Sequence, residues 1–244
     1  MPYGGKGDTR GRGIIVRFAA FGRILRAIDS HLFGSAMEDE VRGLFFLRSL
    51  PCNRGMNFFK ADDPVRYGTI ELAIKRILKE RIEGSFAEVG VWRGYTSRFI
   101  HDLAPDRTLF LFDTFEGFPS KDLGASQDSR FKDTSVEIVT KSIGDTRNVR
   151  IMKGYFPDTT KGLENERFAF VMLDLDLYDP TFAGLNFFYD RLTPGGYLFL
   201  HDFNTSDRIC GVYEAATSFF KETKEDIIEL PDAWGSAMFR KNKK

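Results

Sequence analysis

The chain has only two cysteines, three histidines and two tryptophans in 244 residues, and it has no net charge. Two thiols, Cys52 and Cys210, cannot build a disulfide scaffold. They read as a reduced, intracellular protein, with a single Cys52–Cys210 bridge left open. Basic and acidic residues balance at 35 each, so no global positive field draws the chain to nucleic acid. No apolar run approaches the roughly 20 residues that span a bilayer, so no transmembrane segment is expected. The N-terminus lacks the apolar core and small-residue cleavage site of a secretory signal, which makes the cytoplasm the expected location. Internal repeats and low-complexity tracts are also missing.

What is present is a large aromatic content, with 25 Phe. That excludes general disorder, and the length suits one soluble domain with an appendage. Residues 1–13 are glycine-rich. Residues 14–28 place Ile14, Phe18, Phe21, Leu25 and Ile28 at helical spacing, with Arg17, Arg23 and Arg26 interleaved. Such a basic helix suits a membrane surface, or packing on its own domain or a second subunit; the second reading is preferred. Residues 35–84 read as helical, broken near Pro51 and Gly55. The clearest helix is Pro64–Lys79, capped by Asp63, with Ile70, Ala73, Ile74, Ile77 and Leu78 on one face.

From Ser85 the texture changes. Apolar strands are expected at 85–91, 108–114, 149–155, 168–176 and 197–203. They alternate with helices at 95–103, 133–143 (capped by Asp133), 180–192 (capped by Asp179) and 207–221. A final antiparallel pair is expected at 226–230 and 236–241. This alternation predicts an α/β fold with a doubly wound, mainly parallel sheet, ligands sitting at the carboxyl ends of its strands. Residues 115–132 form a loop longer than sheet connections need, suited to a lid over the ligand.

The first strand ends in Glu88-Val89-Gly90, and Gly94 follows where the next helix begins. Glycines there let the backbone approach a ligand closely. The spacing is not that of a dinucleotide binder, and Glu88 is a poor neighbour for pyrophosphate. The second strand ends in Asp113, suited to ribose hydroxyls. A ligand with a ribose and a positive charge but no phosphate fits this set, and S-adenosylmethionine is one. A tight turn without a ligand is the other reading of the glycines.

The runs FAEVGVWRGYTS, LFLFDTFEGFP, KGYFPDT, FVMLDLDLYDPT and LTPGGYLFLHDF, in this order over roughly residues 60–220, resemble the macrocin O-methyltransferase family. The resemblance implies a class I methyltransferase fold with a seven-stranded, mainly parallel sheet and helices on both faces. Residues 61–244 would form this domain, and residues 1–60 a basic helical extension serving as a lid or oligomer contact. It implies S-adenosylmethionine, a divalent metal (Mg²⁺ or Mn²⁺ ahead of Zn²⁺), and methylation of a hydroxyl on a glycosylated small molecule in a natural-product pathway such as antibiotic biosynthesis. A homo-oligomer is also expected.

By resemblance, Glu88, Gly90, Gly94, Tyr95 and Thr96 would line the methionine half of the cofactor, and Asp113 would take the ribose. Gly154 and Tyr155 would lie near the adenosine. Asp174 would touch the cofactor and also hold metal together with His201 and Asp202, and Asp176 would be the general base. The family's usual Asp-Asp pair is here His201-Asp202. Imidazole is a poor Mg²⁺ ligand, so His201 is expected either as a ligand of a softer metal or as a base or substrate contact. Two other readings stay open: a catechol or carboxyl acceptor on the same fold, and a non-catalytic module that binds S-adenosylmethionine.

Overall fold

The computed structural model describes residues 63–123, 128–207, 209–223 and 225–242. The basic helix at 14–28, the helical stretch up to residue 62, the extension 1–60, Cys52 and His31 all lie outside the described residues. Helix α1 (Pro64–Lys79) starts as its sequence predicts. Asp63 Oδ1 accepts the backbone N–H of Arg66 at 3.1 Å, and Pro64 takes the first position, where no amide hydrogen is needed. Ile70, Ala73, Ile74 and Ile77 are buried, whereas Leu78, expected on the same face, is exposed.

The sheet comprises β1 (Ser85–Val89), β2 (Leu109–Asp113), β3 (Val149–Lys153), β4 (Phe168–Leu173), β5 (Leu192–Leu200), β6 (Ile228–Glu229) and β7 (Ala237–Arg240). Their order is β3-β2-β1-β4-β5-β7-β6. The first five are parallel, and β7 runs antiparallel to both β5 and β6. Chain order reverses between β1 and β4. A crevice at the carboxyl ends of those two strands is where such sheets bind ligands.

Strand alternation sorts the faces. Ala87, Val89, Val171 and Leu173 share a core with Leu185 and Phe188 of α5 (Tyr178–Arg191) and with Val212 and Ala216 of α6 (Val212–Phe220). The other face is covered by α1, α2 (Tyr95–Leu103) and α4 (Val136–Ile143), which pack on one another. Among the described residues no helix is long and apolar enough to cross a membrane.

Three helix starts differ from expectation, and in two of them the acidic residue is used elsewhere. Ser135, not Asp133, caps α4 through a bond from the Ile138 amide, while Asp133 holds Trp92 Nε1 at 2.8 Å and Arg93. Asp179 lies inside the first turn of α5, with Leu177 at the cap, and still favours the helix dipole there. Helix α6 begins at Val212 rather than near Asp207, which instead pairs with Arg130. The long loop after β2 contains a short helix, α3 (Ser120–Leu123).

His101 on α2 is buried, and neither ring nitrogen has a hydrogen-bond partner among the described residues. An unpaired buried polar group costs stability, whereas an apolar side chain of similar size does not. His101→Leu is therefore expected to raise the unfolding free energy by about 1 kcal/mol. Urea midpoints of the two proteins measure this; a lower midpoint for the variant would mean that the ring is satisfied by solvent.

Candidate active site

The turn from β1 into α2 is shaped by close backbone approach. At Gly90, with φ +85°, a Cβ would stand 1.8 Å from the Asp174 carbonyl oxygen. Only glycine fits there. Gly94 caps α2 at φ +75°, where a Cβ would press on Val139 at 3.0 Å. Between them Trp92 is left-handed at φ +47°. Asp113 holds this turn: its Oδ2 accepts the amides of Val91 (2.7 Å) and Trp92 (2.9 Å), and its Oδ1 accepts that of Phe115 (2.6 Å). The carboxylate expected to meet a ribose is thus also the clasp of the glycine turn.

Gly154 lies beside it, its amide donating to the Asp113 carbonyl at 2.9 Å. Next to Gly154, Tyr155 donates to Asp122 Oδ1 of α3 at 3.0 Å, and Lys121 Nζ sits 3.1 Å from its ring centroid. Burial, then the Asp122 carboxylate, push the Tyr155 phenol up to about 12. Tyr95 is exposed, and Thr96 Oγ1 lies 3.1 Å from Tyr67 Oη on α1. Glu88, Gly90, Gly94, Thr96, Asp113 and Gly154 therefore share the carboxyl edge of the sheet around one turn.

Glu88 is fully buried and accepts a hydrogen bond from Ser97. Burial raises its pKa to about 8, with Asp174 adding to the shift and Ser97 opposing it. Between the ordinary carboxyl value of 4.5 and about 8, the unfolded chain has lost this proton while the folded chain keeps it. Glu88 therefore makes stability fall as pH rises through that window. A cation placed against a buried acid of this kind would favour its ionised form.

The second cluster stands at the ends of β4 and β5, which are neighbours in the sheet. His201 Nδ1 lies 3.0 Å from Asp174 Oδ1 and 2.7 Å from Asp202 Oδ2. One donor atom from each of Asp174, His201 and Asp202 falls within a 4.8 Å span. Adjacent ligands on an octahedral ion with bonds of about 2.1 Å stand about 3.0 Å apart, so these spacings suit a shared dication. Two carboxylates and an imidazole match Mn²⁺, Fe²⁺ or Zn²⁺ better than Mg²⁺.

Asp176 is not extended from Asp174, as strand geometry predicts, but turned back at φ +58°. Its carbonyl accepts the Gly211 amide at 2.7 Å. Burial, then the charges of Asp174 and Asp202, raise the Asp176 pKa to about 8. Asp202 is likewise left-handed at φ +56°, and the Cys210 thiol donates to its carbonyl at 3.4 Å. Burial pushes that thiol up to about 12, so it stays protonated. Two non-glycine residues in this conformation, each costing roughly 1–3 kcal/mol, mark a site whose geometry the surrounding structure enforces.

Arg66 on α1 is a member of this site that no local pattern announces. Its Nη1 touches His201 Nε2, 135 residues away in sequence. A guanidinium can only donate, so this contact is a hydrogen bond only while Nε2 carries no proton, and a metal on Nδ1 would take the place of the Nδ1 proton. Burial disfavours a charged ring, but the Asp174 charge and the bonds to Asp174 and Asp202 outweigh it and raise the His201 pKa to about 10. Arg66 acts against that second proton. At the rim, Arg130 bridges Asp207 of the loop after β5 at 2.7 Å, joining it to the loop after β2.

A family model described as Macrocin-O-methyltransferase (TylF) matches residues 64–241. The chain is similar to mycinamicin III 3''-O-methyltransferase of Micromonospora griseorubida, 28% identical over 158 residues that cover 57% of this chain and 62% of that one. It is also similar to demethyldecarbamoylnovobiocin O-methyltransferase of Streptomyces niveus, 25% identical over 157 residues, 57% of this chain and 60% of that one. The chain thus spans about three fifths of the length of these relatives. Among solved structures, the O-methyltransferase NovP aligns with a TM-score of 0.61 at 21% identity, covering 73% of this chain and 80% of that one. The calicheamicin methyltransferase CalS11 aligns at 0.55 and 18% identity, over 98% and 99% of the two chains. The shared fold is that of class I O-methyltransferases.

Proposed function

Because the chain belongs to the macrocin O-methyltransferase family, we propose that it moves a methyl group from S-adenosylmethionine to a hydroxyl of a sugar-bearing small natural product, with a divalent metal assisting. The observation that carries this reading is that Asp174, Asp176, His201 and Asp202 follow the ends of β4 and β5, where the Asp174 backbone meets the Gly90 turn. The work falls to residues 61–244.

S-adenosylmethionine supplies a methyl group already activated by its sulfonium, so the unmet need is a nucleophilic acceptor oxygen. A dication held by Asp174, His201 and Asp202 would supply acidification of the acceptor hydroxyl. The chain's own part is orientation and proton removal. Asp176, fixed through Gly211, takes the hydroxyl proton on its carboxylate, and a pKa raised toward working pH makes it an effective base. The Gly90 and Gly94 turn seats the methionine portion. Asp113, Gly154 and Tyr155 border the adenosine.

Exposed aromatic rings lie on the segments that follow β4, β5 and β6, and such rings suit the C–H faces of a sugar. Tyr178 lies two residues past Asp176, Tyr213 packs 5.2 Å from Phe203, and Trp234 adjoins Gly235, whose carbonyl accepts the Asn204 amide. The test is transfer of labelled methyl from S-adenosylmethionine to a panel of rhamnosides and other deoxysugar glycosides, with and without EDTA. Transfer abolished by chelator and restored by Mn²⁺ or Mg²⁺ supports the reading. Full transfer in excess chelator removes the metal from it, and no transfer to any glycoside removes the acceptor class.

Glu88 gives an independent check. An ammonium docking against it lowers its pKa from about 8, so binding of S-adenosylhomocysteine at pH 7 should expel a proton. Affinity then rises with pH until Glu88 is ionised without help. Calorimetry in buffers of different ionisation enthalpy reads the released proton directly, and Glu88→Gln should abolish it. Binding with no proton release would mean that Glu88 does not receive the ammonium.

A further inference from the structure

The amino-acid end of S-adenosylmethionine is a zwitterion. The proposed reading of the site gives its ammonium a partner, Glu88, but leaves its carboxylate without one. A carboxylate entering a buried site needs a cation or several donors, since desolvating it alone is costly. We propose that Arg66 is the residue that binds the cofactor's carboxylate.

The position of Arg66 is set before any ligand arrives. Asp63 caps the helix on the Arg66 amide, and the guanidinium carbon lies 5.0 Å from the Tyr67 ring centroid. Tyr67 in turn reaches Thr96 at the start of α2, so α1 brings Arg66 to the methionine side of the glycine turn. Its charge is felt at Glu88 and at Asp174, where it favours the ionised acids.

The guanidinium is only partly used. Nη1 lies against His201, yet Nε is buried and has no hydrogen-bond partner. An arginine donor hidden from water without an acceptor is costly, and an arriving carboxylate would satisfy it. Guanidinium and carboxylate also match in shape, because two parallel N–H groups can meet two oxygens. Neither Asp174 nor Glu88 takes that role here: Asp174 faces His201, and Glu88 faces Ser97. The site then holds a buried acid and a cation near enough for one to act on the other, a pair complementary to an ammonium and a carboxylate on one carbon.

The inference rests on the reading of the site as one for S-adenosylmethionine, and a matched pair of ligands separates the two. Decarboxylated S-adenosylmethionine keeps the sulfonium and the ammonium and lacks only the carboxylate. Calorimetry should show wild type preferring S-adenosylmethionine over the decarboxylated form by about tenfold or more. Arg66→Gln should weaken S-adenosylmethionine by a similar factor, leave the decarboxylated form within about threefold, and so erase the preference. Arg66→Lys should keep part of it. Thermal midpoints of both variants report whether they are folded, and Lys serves if Gln is not. An undiminished preference in either folded variant overturns the inference, as does equal weakening of both ligands. Failure of wild type to bind either compound overturns the reading of the site, and this inference with it.

Discussion

Asp176→Asn is expected to lower kcat by about 10²- to 10⁴-fold while leaving affinity for S-adenosylhomocysteine within about twofold. The amide keeps the shape of the side chain and loses its capacity to take a proton. Asp176 is the natural candidate because it has the features a base requires. It is adjacent to the acid cluster, its backbone is fixed by Gly211, and burial with two like charges lifts its pKa to about 8. The sign of its pH dependence follows. Only the ionised carboxylate accepts a proton, so the rate should climb with pH as Asp176 deprotonates, and a neighbouring dication would move that climb below 8. The Asn variant should lose this ascending limb. Single-turnover rates on any glycoside that accepts a methyl group, measured across pH, decide the matter. A variant that retains both rate and limb would remove Asp176 as base.

Gly90→Ala should be the most damaging small substitution in the domain. One added methyl group would lie 1.8 Å from the Asp174 carbonyl, at a φ of +85° that L side chains avoid. Backbone faces it on the far side, so no side chain can swing away. A loss of roughly 3 kcal/mol or more in unfolding free energy is expected, combining the left-handed strain with the clash. Gly144, whose φ is also +85°, has nothing within 4 Å of its would-be Cβ. Gly144→Ala should therefore cost only the backbone strain, about 1–3 kcal/mol. Urea denaturation of the two variants side by side separates the terms. Equal losses would show that the approach of the β1 turn to β4 is not as close as described.

The parallel sheet was legible because its strands are unbroken apolar runs ended by acids. FAFVML and YLFL need burial on both faces, and little else than a central parallel strand provides it. The acids at 174 and 202 were legible for the converse reason, since an apolar strand gives a carboxylate no support of its own. The Gly90 and Gly94 turn was visible as well. The residues expected to be brought together at the sheet edge are those found there, although Tyr95 is mostly solvent-exposed.

Other features depend on tertiary partners that spacing does not encode. Arg66 reads as one more charge on an amphipathic helix until α1 is laid beside β5. Asp133 and Asp179 each have the composition of a helix cap, but Asp133 is held by Arg93 and Asp179 falls inside the first turn, behind Leu177; Asp207, expected to open a helix, pairs with Arg130 instead. The turn at Asp176 runs against the extended backbone that two aspartates with one residue between them suggest at a strand end. His101 has the neighbours of a surface helix residue and is nonetheless buried.

Asp174, His201 and Asp202 are proposed to hold a dication. Electron paramagnetic resonance of Mn²⁺ titrated into the protein tests it without need of an acceptor. Saturable loss of the free-ion signal is expected in wild type, and loss of that binding in the Asp174→Asn, Asp202→Asn double variant. A free-ion signal unaltered by wild type, or binding undiminished in the double variant, would contradict it.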